Sequence, residues 1–137
     1  MTRTSALTCL LLAVAPGLSR AAEQDEAAGV QAAESWLKLV DGGQYGASWD
    51  EASTTFRNTV SRSAWEKKAT AVREPLGKVV ARTLASKQLT HELPGAPDGT
   101  YVVVTYNTKF EHKERAVETV FLTLEGGRFR GAGYFIR

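Results

Sequence analysis

Two spacings divide this chain. Up to about Leu76 the apolar residues recur three and four positions apart; beyond Gly77 they alternate. The change falls inside residues 61–82, at Pro75-Leu76-Gly77, where proline ends regular helix and glycine lets the backbone turn. Residues 23–28 are a polar, alanine-rich lead-in. A first helix then places Val30, Ala33, Leu37 and Val40 on one face with Trp36 beside them, and stops at Asp41-Gly42-Gly43. A second starts at Gln44 or Tyr45 and carries Tyr45, Trp49, Ala52, Phe56 and Val60. Ser53-Thr54-Thr55 predicts a break in its middle. A third opens on the capping-box pattern Ser63-Ala64-Trp65-Glu66, with Trp65, Ala69, Val72 and Leu76 on its inner face. The three tryptophans read as core packing.

The second half predicts four strands, over residues 78–93, 100–110, 116–125 and 128–137. Prolines 94 and 97 with Asp98-Gly99 mark a loop after the first strand, and residues 111–115 a charged connection after the second. Gly126-Gly127 reads as a two-residue hairpin turn. That turn sets a register: Glu125 opposite Arg128, Leu124 opposite Phe129, then Leu122–Gly131, Val120–Gly133 and Glu118–Phe135. Opposed residues share a face. One face thus carries Ala116, Glu118, Val120, Leu122, Leu124, Phe129, Gly131, Gly133 and Phe135 and is the core face, its glycines leaving room for a tryptophan or a helix. The open face carries Phe121, Ala132, Tyr134 and Ile136 among others. The five-residue connection would set Thr108 opposite Glu118 and Tyr106 opposite Val120. The fold class expected is α+β, three N-terminal helices packed on a curved four-stranded antiparallel meander.

Length and composition fit one soluble domain: 137 residues, 43% hydrophobic and 23% charged. Residues 1–21 read as a secretory leader, with Arg3 in a short positive start, an apolar run too short to span a membrane, and small residues before cleavage after Ala21 or Ala22. The single domain is then residues 22–137, periplasmic or secreted. Removing Arg3 and Arg20 takes Lys plus Arg from 17 to 15, equal to the 15 Asp plus Glu, so the mature chain is near neutral and carries no nucleic-acid footprint. The one cysteine, Cys9, leaves with the leader, and the mature domain rests on its core without disulfides.

Glu118 is the anomaly in the pattern. A carboxylate on a face of Ala, Val, Leu, Phe and Gly needs a partner or a raised pKa. Arg73 and Arg82, on either side of the Pro75–Gly77 hinge, are its charge partners by position, and Tyr106 and Thr108 its hydrogen-bond partners. Glu118, Arg73, Arg82 and Tyr106 form the candidate ligand-binding set, against the alternative of a buried structural ion pair. His91 and His112 lie apart with no metal-ligand spacing, no glycine-rich phosphate loop or nucleophile elbow is present, and no cofactor, metal or catalytic residue is assigned.

Taken together, Trp36-Leu37, Val40-Asp41-Gly42-Gly43-Gln44-Tyr45, Ser48-Trp49, Trp65, Arg73-Glu74-Pro75-Leu76-Gly77, Arg82, the 93–101 segment Leu-Pro-Gly-Ala-Pro-Asp-Gly-Thr-Tyr, Ala116-Val117-Glu118-Thr119-Val120 and Gly133-Tyr134-Phe135-Ile136 resemble the uncharacterised bacterial family called domain of unknown function 4019. The resemblance covers about residues 28–137. It implies a small exported protein with no activity to carry over, and a cone-shaped fold similar to nuclear transport factor 2, also called cystatin-like. The chain departs at Phe129, where that pattern has tryptophan, and at Phe121, where a smaller polar residue is usual. A fold of this kind hosts enzymes and inert binders alike.

The function expected is a non-enzymatic small-ligand-binding or accessory domain of the cell envelope, its partner an unknown small ligand or envelope protein, with no membrane contact after leader cleavage. One alternative is an interaction module or homodimer built on the open sheet face. The other is a small acid–base enzyme with Glu118 as base.

Overall fold

The computed structural model describes residues 16–137. Helices α1 (Pro16–Asp41), α2 (Tyr45–Glu51), α3 (Thr54–Thr59) and α4 (Arg62–Leu76) precede strands β1 (Val79–Thr90), β2 (Tyr101–Phe110), β3 (Lys113–Glu125) and β4 (Arg128–Ile136). The strands form one open antiparallel sheet in the order β1-β2-β3-β4, so β1 and β4 are its edges. The α+β class and the meander stand, but the described residues form four helices. The weak point at Ser53-Thr54-Thr55 is a full break, because Ser53 takes extended backbone and its Oγ accepts from Phe56 N at 3.2 Å, capping a new helix. Most of the expected leader, Cys9 included, lies outside the described residues; its last residues open α1, which continues through residues 21–28.

α1 lies across all four strands. It approaches most closely at Gly29, where a Cβ would stand 2.5 Å from Val102 Cγ1. Ala33, Trp36, Leu37 and Val40 are buried, as their helical spacing predicts. Gly131 leaves the predicted room for an aromatic ring: a Cβ there would meet Trp36 at 3.2 Å.

The tryptophans join helix to helix. Trp36 and Trp65 have ring centroids 5.9 Å apart, and Phe56 meets Trp65 edge-on at 5.1 Å. Their polar ends converge on Ser48, itself fully buried. Trp36 Nε1 donates to Ser48 O and Trp65 Nε1 to Ser48 Oγ, each at 2.9 Å, while Ser48 Oγ donates to Tyr45 O at 2.6 Å. Trp49 Nε1 donates to Val60 O at 2.7 Å.

α4 differs from its sequence reading in two ways. Its cap is Ser61, not Ser63: Ser61 is extended and accepts from Ala64 N at 3.2 Å, and Glu66 instead pairs with Arg62 at 2.8 Å. Its inner stripe is Trp65, Ala69 and Arg73, one every four residues, and Val72 is 46% exposed. The hinge is as expected. Gly77 takes φ +73°, a left-handed conformation that glycine adopts without Cβ strain. The following turn holds it, with Glu111 Oε1 accepting from Lys78 N at 2.7 Å and Leu76 O accepting from His112 N at 2.9 Å.

Sheet register decides the site. Beyond Gly126-Gly127 the pairs Glu125–Arg128, Leu124–Phe129 and Leu122–Gly131 form as predicted. Then Phe121 pairs with Gly133, which leaves Ala132 as an extra residue, a β-bulge. Past it every side chain of β4 changes face. Tyr134 pairs with Val120 and Ile136 with Glu118 on the helix side, while Gly133 and Phe135 turn to the open face. Phe135, expected in the core, is 64% exposed there and meets Phe121 edge-on at 5.7 Å.

At the other end of β3 the 111–115 connection is shorter than predicted. β3 starts at Lys113, with a second bulge between the Phe110–Lys113 and Thr108–Ala116 pairs. Tyr106, not Thr108, therefore faces Glu118. The two differ by two residues, so the face assignment survives.

Candidate functional site

A polar seam runs under the C-terminal end of α1, between α4 and the middle of the sheet. Glu118 projects from β3 into it because β3 alternates, with Ala116, Val120 and Leu122 buried on the same face. Glu118 is 0% exposed, and both its oxygens are engaged by donors alone. Oε1 accepts from Arg82 Nε at 2.7 Å and from Thr108 Oγ1 at 2.5 Å; Oε2 accepts from Arg82 Nη2 at 3.1 Å and from the Tyr134 hydroxyl. This is a charge-assisted, doubly bridged arginine–carboxylate pair completed by two hydroxyls.

Arg82 has a second carboxylate. Its Nη1 and Nη2 donate to Asp41 at 2.7 and 3.0 Å. Asp41, the last residue of α1, also accepts from Arg73 Nη2 at 2.9 Å. The expected cluster is thus assembled differently. Arg82 holds Glu118 directly, Arg73 joins only through Asp41, and Tyr106 contributes its ring rather than its hydroxyl, with the Arg82 guanidinium 5.9 Å from the ring centroid. Arg73 stacks over Phe110 at 5.1 Å.

The charges shape the titrations. Burial alone would raise Asp41, but its bonds to Arg82, then Arg73, and their charges outweigh burial and hold it below the ordinary carboxyl value. Burial would also weaken the Arg82 cation, yet Asp41 and Glu118 together push its pKa up. Burial, then the Glu118 charge and hydrogen bond, raise Tyr134, so its hydroxyl stays a donor. Burial and then the Glu34 charge raise Tyr106 to about 12.

Two members were not in the sequence-derived set. In the sequence Asp41 reads as a helix stop beside Gly42-Gly43, and no local pattern ties it to residues 32 and 41 positions away. The register counted from Gly126-Gly127 puts Tyr134 on the open face, and the Ala132 bulge turns it inward. Its signal was Gly131-Ala132-Gly133, since glycines inside a strand mark bulges.

Some donors in and around the seam are left over. Arg73 is 5% exposed, and its Nε and Nη1 have no partner among the described residues; neither has the Tyr106 hydroxyl. Arg73 and Tyr134 also border a groove of about 540 Å³ between α3, α4 and β4. Phe56, Val60, Trp65, Val72 and Ile136 give it apolar walls, and Lys68 stands with Arg73 as its charged lining; no acidic side chain among the described residues lines it. His112 is exposed and His91 Nδ1 lies 3.3 Å from Gly99 O. Among the described residues no group of three His, Cys, Asp or Glu could hold a metal ion, and no helix is long and apolar enough to cross a membrane.

A search of curated proteins finds no match to this chain. A family model does match, over residues 32–134, a span that takes in the last part of α1, the three later helices, the hinge, the seam from Asp41 to Tyr134 and the bulge. On that match the chain belongs to the family described as Protein of unknown function (DUF4019).

Proposed function

We propose that this chain is an exported, non-enzymatic domain of the cell envelope that binds a small apolar anion in the groove between α3, α4 and β4. The observation that carries the reading is the groove's lining: apolar and aromatic walls, two cations, no acidic side chain, and a volume in the range of small-molecule sites. An acid group would be drawn to the Arg73 and Lys68 cations of the lining, and an apolar chain would cover Trp65 and Val72. In this reading the Asp41–Arg82–Glu118 seam is a clamp that fixes Tyr134 and Arg73 as parts of the wall. Glu118 as a base is disfavoured because it is enclosed and accepts four hydrogen bonds. The helices-then-sheet order with a site between the two layers also supports assigning the fold to the cone-shaped, cystatin-like group.

Decanoate titrated against Trp65 fluorescence tests the site. Saturable quenching is expected, with decanol at least about tenfold weaker, the ratio that one charge-assisted hydrogen bond provides. Arg73→Met should abolish the acid–alcohol difference. Absence of saturation, or equal binding of the alcohol, would remove the reading. Export has its own test: N-terminal sequencing of the native protein should begin at Ala22 or Glu23, and an intact Met1 would contradict it.

A further inference from the structure

The free edge of β4 carries an inference independent of any ligand. Val117 and Arg137 exchange both backbone bonds, at 2.8 and 3.1 Å. Antiparallel pairs alternate, so Thr119–Phe135 and Phe121–Gly133 fall in the same class, and Tyr134 and Ile136 turn their N–H and C=O groups away from β3 to the free edge. No other backbone group among the described residues bonds to either. The start of the edge is covered, because Ser53 N donates to Gly131 O at 2.8 Å; from Ala132 onward it is open. Natural edges are usually blunted by charge or proline. Here Ala132-Gly133-Tyr134-Phe135-Ile136 has neither, and its one large open-face side chain is the exposed Phe135.

We propose that a second copy of this chain pairs with this edge, β4 against β4, about a two-fold axis at Tyr134, joining the two sheets into one of eight strands. The register follows from the outward groups. Tyr134 opposes Tyr134 of the second copy and exchanges both backbone bonds with it. Phe135 then opposes Gly133 in the closer, non-hydrogen-bonded class of pair, where glycine leaves room for the ring. Ile136 opposes the Ala132 bulge, and the pairing ends there, short of Gly131, whose carbonyl already accepts from Ser53 N. No like charges face each other in this register. On the open face the Phe121–Phe135 pair of each copy meets that of the other, covering the exposed ring. The contact is isologous and closes on itself, so it stops at two copies. It is distinct from stacking of the open faces, which would leave Tyr134 and Ile136 amides free.

Sedimentation velocity of the full-length protein from about 1 to 500 µM, with backbone amide exchange at both extremes, tests it. The expected result is a concentration-dependent doubling of mass, with Tyr134 and Ile136 amides protected only at high concentration. Phe135→Glu, on an exposed position, should keep the circular dichroism and melting temperature and lose the doubling; Ser86→Glu on the opposite edge strand should keep it. A monomer at 500 µM, a dimer indifferent to Phe135→Glu, or a dimer with those amides unprotected would overturn the proposal. So would a monomer whose β4 edge becomes protected only when a different protein is added.

Discussion

The two arginines of the seam both bond Asp41, yet their removal should have very different consequences. In Arg82→Met the methionine keeps most of the packing over Tyr106 and removes four N–H···O bonds, two to Glu118 and two to Asp41. Glu118, 0% exposed, is left with two hydroxyls and no countercharge. Removing one member of a buried pair costs about 3–5 kcal/mol, a large share of a domain stability of about 5–15 kcal/mol. For a domain of this size that is a fall in Tm of roughly 10–20 °C. In Arg73→Met a single bond to Asp41 is lost, and two buried nitrogens without partners among the described residues are lost with it, which relieves desolvation. Methionine can still pack on Phe110. The expected cost is about 1 kcal/mol or less. Urea unfolding at pH 7, followed by tryptophan fluorescence and far-ultraviolet circular dichroism with equal m-values, measures both. Arg82→Met combined with Glu118→Leu should recover most of the single-variant loss, since the stranded charge is then gone. Arg82→Met within 1 kcal/mol of the parent, or Arg73→Met equally damaging, would refute this account of the seam.

Ser48→Ala strands Trp65 Nε1 in the core and should cost about 1–3 kcal/mol by urea midpoint, with a shifted tryptophan emission; an unchanged midpoint would mean the indole finds another acceptor. Gly29→Ala ought to lose stability although alanine favours helix by about 1 kcal/mol, because its Cβ would lie within 2.8 Å of three Val102 atoms and overpacking costs about 1–3 kcal/mol; a stabilised variant would contradict the close α1–β2 approach. Acid stability reports Asp41. Its folded pKa is below the unfolded value, so its contribution is present above about pH 4 and lost as pH falls through the folded value. Asp41→Asn should therefore lower stability at pH 7 and flatten its decline below about pH 4; an unchanged acid limb would show that Asp41 is not so perturbed. Tyr134 has the opposite sign: its raised pKa gives stability present below about pH 10 and lost above, which Tyr134→Phe should remove from the alkaline limb of the same unfolding series.

Much of this architecture was already legible as pattern. The helical stripe of α1 needed only Ala33, Leu37 and Val40, and the hairpin at Gly126-Gly127 fixed three pairs next to it. The buried carboxylate at Glu118 followed from alternation in β3, since parity is local to one strand. The pattern failed where a residue count changes. Ala132 adds one residue to β4 and so exchanged Tyr134 with Phe135 between faces. The bulge between the Phe110–Lys113 and Thr108–Ala116 pairs did no such harm, because the predicted and observed pairings there differ by an even number.

The sequence by itself determined the order of helices and strands, the hinge at Pro75–Gly77, and the identity of the carboxylate that had to find a partner. These depend on spacing, turn chemistry and the cost of burying charge, all readable over a few neighbouring residues. Only the tertiary structure decided which groups meet that carboxylate. Arg82 on β1 reaches Glu118 on β3 across the intervening β2, Asp41 reaches both arginines from the end of a helix, and Tyr134 arrives through a bulge. Those meetings depend on how α1 lies on the sheet and on where the ladder slips. Both are set by close packing among distant residues, Gly29 on Val102 and Trp36 on Gly131, which no local periodicity records.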